Sequence, residues 1–127
     1  MAKKSAIFGE YVINVEDDGS IRVFRIYDNV KGSLREIAEE KNFAYDNGWT
    51  TQQFGVKIIK EFGDGKTATI GNYVVSKDDK NHIDTYRTYD NTKAALREIS
   101  EKSGFEYDSK WNTRHFGSEL VDFINNK

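Results

Sequence analysis

The sequence predicts an α+β fold: a tandem internal duplication of a ββαα unit, with antiparallel hairpins, two amphipathic helices per repeat and a pseudo-twofold relation between the repeats. Residues 7–62 align with residues 69–124 without a gap, at a constant offset of 62 positions. About 22 of the 56 aligned pairs are identical. Each copy also contains two strand-like runs followed by two helical patterns. Repetition at a fixed spacing indicates that one supersecondary unit is written twice.

Each copy opens with two runs of strand-forming residues separated by a short turn. The runs are "EYVINVE" and "IRVFRIYD" in the first copy, and "NYVVSK" and "HIDTYRTYD" in the second. Gly19 and Asn81 occupy equivalent positions in the two turns. Both residue types adopt positive φ more readily than other residues, so the same tight hairpin is predicted twice.

The first helix of each copy is predicted from a capping residue and an apolar stripe. Asn29 and Asn91 are suited to the N-cap position, and Asn42 and Gly104 are suited to a left-handed position after the helix. The apolar residues between them follow the i, i+3, i+4 spacing of a single buried helix face. They are Leu34, Ile37 and Ala38 in the first copy and Leu96, Ile99 and Ser100 in the second.

The second helix of each copy begins after a tryptophan. Thr50 and Asn112 are predicted as N-caps, since an apolar pattern of helical period follows each of them. The residue before each cap and the residue four positions after it are aromatic, which is the spacing of a hydrophobic staple. These staple pairs are Trp49 with Phe54 and Trp111 with Phe116.

A glycine recurs inside the second helix, as Gly55 and Gly117. Glycine within a helix is less favourable than alanine by about 1 kcal/mol. A repeated glycine there predicts that another part of the chain approaches the helix backbone closely.

The predicted domain organisation is a first repeat at residues 1–62, a short linker at 63–68 and a second repeat at 69–127. A unit of about 60 residues buries a smaller fraction of its surface than a larger domain does and is marginal alone, so we expect the repeats to form one cooperative domain. Charged residues make up 31% of the chain, the formal net charge is −2 and cysteine is absent. This composition indicates an intracellular, cytoplasmic protein that does not interact with membranes.

Motifs for metal, cofactor or catalytic sites are incomplete. "GDGKT" resembles the end of a phosphate-binding loop, but a strand pattern follows where a helix is required. "NVEDDGS" begins like a calcium loop, yet its twelfth position is Arg25 instead of glutamate. No setting for a nucleophile is recognisable. We therefore predict no metal, no cofactor and no catalytic residue.

Several repeated cations are not explained by caps, staples, turns or core. They lie at the end of the second strand run and along the first helix, where two of them occupy the first turn, a position disfavoured by the helix dipole. We interpret them as two equivalent basic patches that bind an acidic protein segment or a phosphate backbone. The alternative is internal ion pairing with Asp28, Asp46, Asp90 and Asp108. The candidate binding residues are Arg25, Lys31 and Arg35, with Arg87, Lys93 and Arg97.

The sequence favours a non-catalytic binding or adaptor module that recognises a macromolecular partner, with a protein partner ahead of nucleic acid. The alternative is a DNA-binding regulator, because "LREISEKSGF" and "NTRHFGSELVDFI" resemble the two helices of a helix-turn-helix motif. An unrecognised enzyme is the second alternative. DNA contacts in the regulator would come from Thr51, Gln52 and Gln53, and from Thr113, Arg114 and His115.

Overall fold

A computed structural model describes residues 2–126. These residues form an α+β structure in which the strands pair antiparallel with their sequence neighbours. In chain order the elements are β1 (Ala2–Phe8), β2 (Tyr11–Glu16), β3 (Ile21–Ile26), α1 (Val30–Glu40), α2 (Thr51–Phe62), β4 (Thr67–Ile70), β5 (Tyr73–Lys77), β6 (Ile83–Thr88), α3 (Thr92–Ser103) and α4 (Thr113–Asn125).

The chain divides into two compact units. The continuous unit comprises residues 26–87, and the discontinuous unit comprises residues 2–25 together with 88–126. These bounds differ from those of the sequence repeats, 1–62 and 69–127.

The continuous unit contains α1 and α2 together with β4, β5 and most of β6. Its strands are ordered β6-β5-β4, and α2 packs on β4 and β5. The apolar faces of these elements form one core because the helices and the strands each have a single stripe to bury. Its buried residues include Leu34, Ile37, Phe54, Ile58, Ile70, Val75 and Ile83.

The discontinuous unit contains β1, β2 and most of β3 together with α3 and α4. Its strands are ordered β1-β2-β3, and α4 packs on β1 and β2. The helices that complete this core therefore come from the opposite end of the chain to its strands. Its buried residues include Ala6, Ile13, Val15, Val23, Leu96, Ile99, Phe116 and Leu120.

All four predicted N-caps are confirmed. The Asn29 and Asn91 side chains accept hydrogen bonds from the N–H groups of Gly32 and Ala94. Thr50 forms a reciprocal capping box with Gln53, and Asn112 accepts from the His115 N–H. Asn42 and Gly104 have φ of 54° and 81°, so both predicted left-handed positions are also confirmed.

Both predicted hairpins are confirmed, with φ of 87° at Gly19 and 63° at Asn81. The structure adds a strand before each hairpin, β1 and β4, that the sequence patterns did not indicate. Strand β4 begins at Thr67, so its first two residues lie within the predicted linker.

The predicted close approach to the helical glycines is confirmed, and the neighbour is an isoleucine side chain. A Cβ placed on Gly55 would lie 2.6 Å from Ile83, within the continuous unit. A Cβ placed on Gly117 would lie 2.6 Å from Ile21, within the discontinuous unit. The absence of a side chain allows each helix to approach its strands at these points.

Candidate binding surface

An exposed arginine lies beside two tyrosines in the continuous unit. The Arg87 guanidinium carbon is 5.4 Å from the ring centroid of Tyr27 and 6.0 Å from that of Tyr73. Tyr27 is held beside β6 because its N–H donates to the Thr85 carbonyl, and the Thr85 hydroxyl donates to the Tyr27 carbonyl. The Tyr73 hydroxyl donates to Glu36 over 2.5 Å. We call Tyr27, Glu36, Tyr73 and Arg87 the aromatic–arginine cluster of the continuous unit.

The discontinuous unit contains an equivalent cluster 62 positions away. The Arg25 guanidinium carbon is 5.9 Å from the centroid of Tyr11 and 5.7 Å from that of Tyr89. The Tyr89 N–H donates to the Val23 carbonyl, which places this ring beside β3. The Tyr11 hydroxyl is hydrogen-bonded to Glu98. Tyr11, Arg25, Tyr89 and Glu98 form the aromatic–arginine cluster of the discontinuous unit.

In each cluster one tyrosine is hydrogen-bonded to a glutamate, and we call it the inner tyrosine. The pKa of this tyrosine is raised well above its ordinary value. The pKa of Tyr11 is raised to about 12, first by burial, and then by the hydrogen bond to Glu98 and the charge of that carboxylate. The pKa of Tyr73 is raised to about 12 by burial and by Glu36 in the same way. Both hydroxyls therefore stay protonated and donate to their glutamates at neutral pH.

The arginine of each cluster remains available to a partner. Arg25 and Arg87 are exposed, and neither forms an ion pair with a carboxylate of residues 2–126. A guanidinium that lies over an aromatic ring can still donate hydrogen bonds from its edge, and that edge matches the two oxygens of a carboxylate. Each cluster can therefore offer bidentate hydrogen bonds to an anionic group.

The helical cations follow each cluster along the chain. Lys93 and Arg97 lie on α3 in the discontinuous unit, where Tyr89 precedes the helix. Both side chains are exposed. Lys31 and Arg35 lie on α1 in the continuous unit, where Arg35 is exposed and Lys31 is half-buried.

The units group these cations differently from the sequence repeats. Arg25 belongs to the unit of Lys93 and Arg97, whereas Arg87 belongs to the unit of Lys31 and Arg35. We define the basic patch of each unit accordingly. The two patches are Arg25, Lys93 and Arg97, and Arg87, Lys31 and Arg35.

The four aspartates considered as internal partners of the helical cations take part in other contacts. Asp46 and Asp108 accept hydrogen bonds from the N–H groups of Gly48 and Lys110. The backbone carbonyls of Asp28 and Asp90 accept from the first turns of α1 and α3. None of the ion pairs found within residues 2–126 joins Lys31, Arg35, Lys93 or Arg97 to Asp28, Asp46, Asp90 or Asp108.

Sequence reasoning did not identify the inner tyrosines or the glutamates of the clusters. The signal was present, because both residue types recur at the offset of 62. Tyrosine in a strand and glutamate in a helix are each common without any function, so only the fold reveals that they meet.

The residues proposed for DNA contact lie in the first turns of α2 and α4. Gln52 donates to the Lys80 carbonyl, and Gln53 completes the capping box with Thr50.

Arg114 donates to the Asp18 carbonyl over 2.8 Å, the contact equivalent to that of Gln52. The His115 ring lies 4.6 Å from that of Trp111, and Thr51 and Thr113 are half-buried.

The connections between the paired helices are long for a helix-turn-helix motif. Residues 41–50 separate α1 from α2, and residues 104–112 separate α3 from α4. The usual turn of that motif has about three or four residues. Within each unit these longer connections contain the staple tryptophan, whose ring lies 5.9 Å from Phe54 for Trp49 and 6.5 Å from Phe116 for Trp111.

Residues 2–126 contain neither a metal-binding cluster of side chains nor a helix that could cross a membrane. No group of three or more His, Asp or Glu side chains is arranged to hold a metal ion. No helix in this part of the chain has both the length and the apolar character needed to cross a bilayer. Comparisons of the chain with protein-family models, curated proteins and solved structures give no match.

Proposed function

We propose that this protein is a non-catalytic binding or adaptor module that recognises an acidic segment of a protein partner through two basic patches. The observation that carries the proposal is the exposed, unpaired arginine beside two tyrosines in each unit. In each cluster the hydrogen bond between the inner tyrosine hydroxyl and the glutamate fixes the position of that tyrosine ring beside the arginine. The guanidinium edge is then available to bind carboxylates.

The helical cations extend this surface along α1 and α3. A lysine in the first helical turn opposes the helix dipole by some tenths of a kcal/mol, so helix stability does not explain Lys31 or Lys93. An acidic partner would offset this unfavourable placement. Two patches of equal composition allow bivalent binding, in which the second contact forms at high effective concentration.

We further infer that the chain consists of a tandem duplication and acts inside the cell, in the cytoplasm. Equivalent caps, positive-φ positions and glycine–isoleucine contacts recur at the offset of 62, which supports the duplication. The absence of cysteine supports the location.

The decisive experiment combines charge reversal with partner capture. Bead-bound protein retains partners from lysate of the native host, and mass spectrometry identifies them. We expect the variant Arg25→Glu, Arg35→Glu, Arg87→Glu, Arg97→Glu, which reverses exposed charges in both patches, to lose the acidic partner. Its free energy of unfolding should change by no more than about 1 kcal/mol, because exposed charges contribute little.

The matched control reverses four exposed lysines elsewhere and changes the net charge equally. This variant is Lys41→Glu, Lys60→Glu, Lys66→Glu, Lys110→Glu, and it should retain the partner. Capture that survives reversal of the patches contradicts the proposal. A patch-dependent partner that proves to be duplex DNA, with binding that weakens steeply as salt rises, would support the regulator instead.

A further inference from the structure

The two units differ at the turn that joins their first two strands. Gly9 and Glu10 connect β1 to β2, and Gly71 and Asn72 connect β4 to β5. Both glycines have φ of 56°, so the first central residue of each turn is in the left-handed region. Phe8 and Tyr11 form the last residue pair before the first turn. The backbone N–H groups of Gly9 and Glu10 therefore take no part in the pairing of β1 with β2.

In the continuous unit a carboxylate covers this turn. A Cβ placed on Gly71 would lie 2.8 Å from Oε2 and 3.0 Å from Oε1 of Glu40. Glu40 is the last residue of α1, where the helix dipole disfavours a negative charge. Its contact with the turn therefore provides a reason for glutamate at this position.

In the discontinuous unit the equivalent turn is uncovered. The position of Glu40 is occupied by Lys102, which is exposed and forms no ion pair within residues 2–126. Apart from Gly9 itself and its two chain neighbours, no atom of the described residues lies within 4 Å of a Cβ placed on Gly9. A cavity of about 90 Å³ is present there instead, lined by Phe8, Gly9, Glu10, Tyr11, Ile99 and Lys102.

We propose that this cavity binds the side-chain carboxylate of a glutamate supplied by another molecule, in the place that Glu40 takes in the continuous unit. The Lys102 ammonium supplies the positive charge, and the turn amides supply hydrogen-bond donors for the carboxylate oxygens. Phe8 and Ile99 provide apolar contact for the methylene groups of the ligand. The cavity has room for several non-hydrogen atoms, as a carboxylate with its attached methylenes requires.

This site shares Tyr11 with the aromatic–arginine cluster, but no residue of the basic patches lines it, and it does not depend on the proposed function. It binds one carboxylate in a small cavity, whereas each patch presents an open cationic surface. A variant at Lys102 therefore tests the site while the residues of the patches remain unchanged.

The test uses the full-length ¹⁵N-labelled chain and N-acetyl-glutamate-methylamide as the ligand. We expect saturable shifts of the Gly9 and Glu10 amide resonances, and none with the neutral glutamine analogue. Lys102→Glu should weaken the response at least tenfold, since the new side chain repels the ligand and can cover the turn itself. Lys102→Gln should weaken it to a lesser extent, because the charge is lost and the turn remains open.

The reciprocal variant Glu40→Lys should create the same response at Gly71 and Asn72. Glu39→Lys changes the charge equally at the preceding exposed position and should create none. N-acetylglycine, which carries a chain-terminal carboxylate, should bind more weakly because its carboxylate is attached directly to Cα, without the two side-chain methylene groups of glutamate. Equal shifts with the glutamine analogue or with inorganic phosphate, or an unchanged response in Lys102→Glu, would overturn the proposal.

Discussion

Each of the two helical glycines lies close to an isoleucine side chain. Gly55 has Ile83 as its neighbour, and Gly117 has Ile21. These pairs are chemically identical, and each joins a helix of one repeat to a strand of the other. The sequence identifies the glycines as points of close approach but cannot identify the neighbour, because Ile21 and Ile83 are equally suitable for either glycine.

Substituting the helical glycine tests this contact directly. Gly55→Ala should lower the free energy of unfolding by about 1 to 3 kcal/mol, because overpacking against Ile83 outweighs the helix propensity of alanine. Ile83→Val should recover part of that loss, giving a favourable coupling energy in a double-mutant cycle measured by urea unfolding. The control pair Gly55→Ala with Ile21→Val should be additive. Coupling to Ile21 in place of Ile83 would contradict the assigned packing.

The buried tyrosines predict a loss of stability at alkaline pH. The pKa of Tyr11 and of Tyr73 is about 12 in the folded protein, above the ordinary value of 10.0. Above pH 10 the unfolded chain releases the protons of these tyrosines while the folded chain retains them. Their contribution to the free energy of unfolding is therefore fully present below pH 10 and is lost as the pH rises towards 12.

Unfolding by urea at pH 8, 10 and 11 measures this slope. Tyr11→Phe should make the slope shallower, and Tyr45→Phe should not, since Tyr45 lies outside both clusters. An unchanged slope in Tyr11→Phe would show that this tyrosine titrates normally in the folded state.

At the level of elements, the helix starts and the hairpins were predictable because their determinants are local. Caps, a staple and a turn residue depend on neighbours within about five positions, as Thr50 and Gln53 illustrate. Strands β1 and β4 were not predictable, because they lack such local determinants. Strand β4 is only four residues long, and β1 begins with polar residues, so neither has an alternating pattern of its own.

The capping box predicts a measurable effect on α2. Thr50→Ala should lower the free energy of unfolding by about 1 kcal/mol, because the Gln53 N–H loses its acceptor. Hydrogen exchange at that amide should become faster. Thr51→Ala is the matched control at the next position and should change the stability much less. Equal effects of the two substitutions would show that Thr50 does not act as a cap.

At the scale of the whole molecule, the candidate site depends on which elements share a unit. The sequence identified the cations Lys93 and Arg97 but grouped them with Arg87, whereas the structure places them in the unit of Arg25. Hydrophobic patterns with a period of 3.6 residues in a helix or 2 residues in a strand specify which face of the element is buried. They carry no information on which of two equivalent partners buries it.

Two fragments of equal length test the unit bounds. Fragment 26–87 contains every element of the continuous unit, whereas fragment 1–62 contains the strands of one unit and the helices of the other. Both are marginal in size, so completeness of the core should decide which one folds. We expect 26–87 to show near-ultraviolet circular dichroism and protected amides at Ile58 and Val75. A cooperatively folding, monomeric 1–62 fragment would contradict the division.

The discontinuous unit also has a consequence for synthesis on the ribosome. The continuous unit is complete once residue 87 has been made, but strands β1 to β3 need α3 and α4, which end at Asn125. At about 5 to 20 residues per second, translation of residues 88–127, which include both helices, takes about 2 to 8 seconds. During that interval Ile13, Val15 and Val23 have no helix to cover them. Strands β1 to β3 are therefore made before the helices that cover them, and this apolar strand surface is the part of the nascent chain that a chaperone would bind.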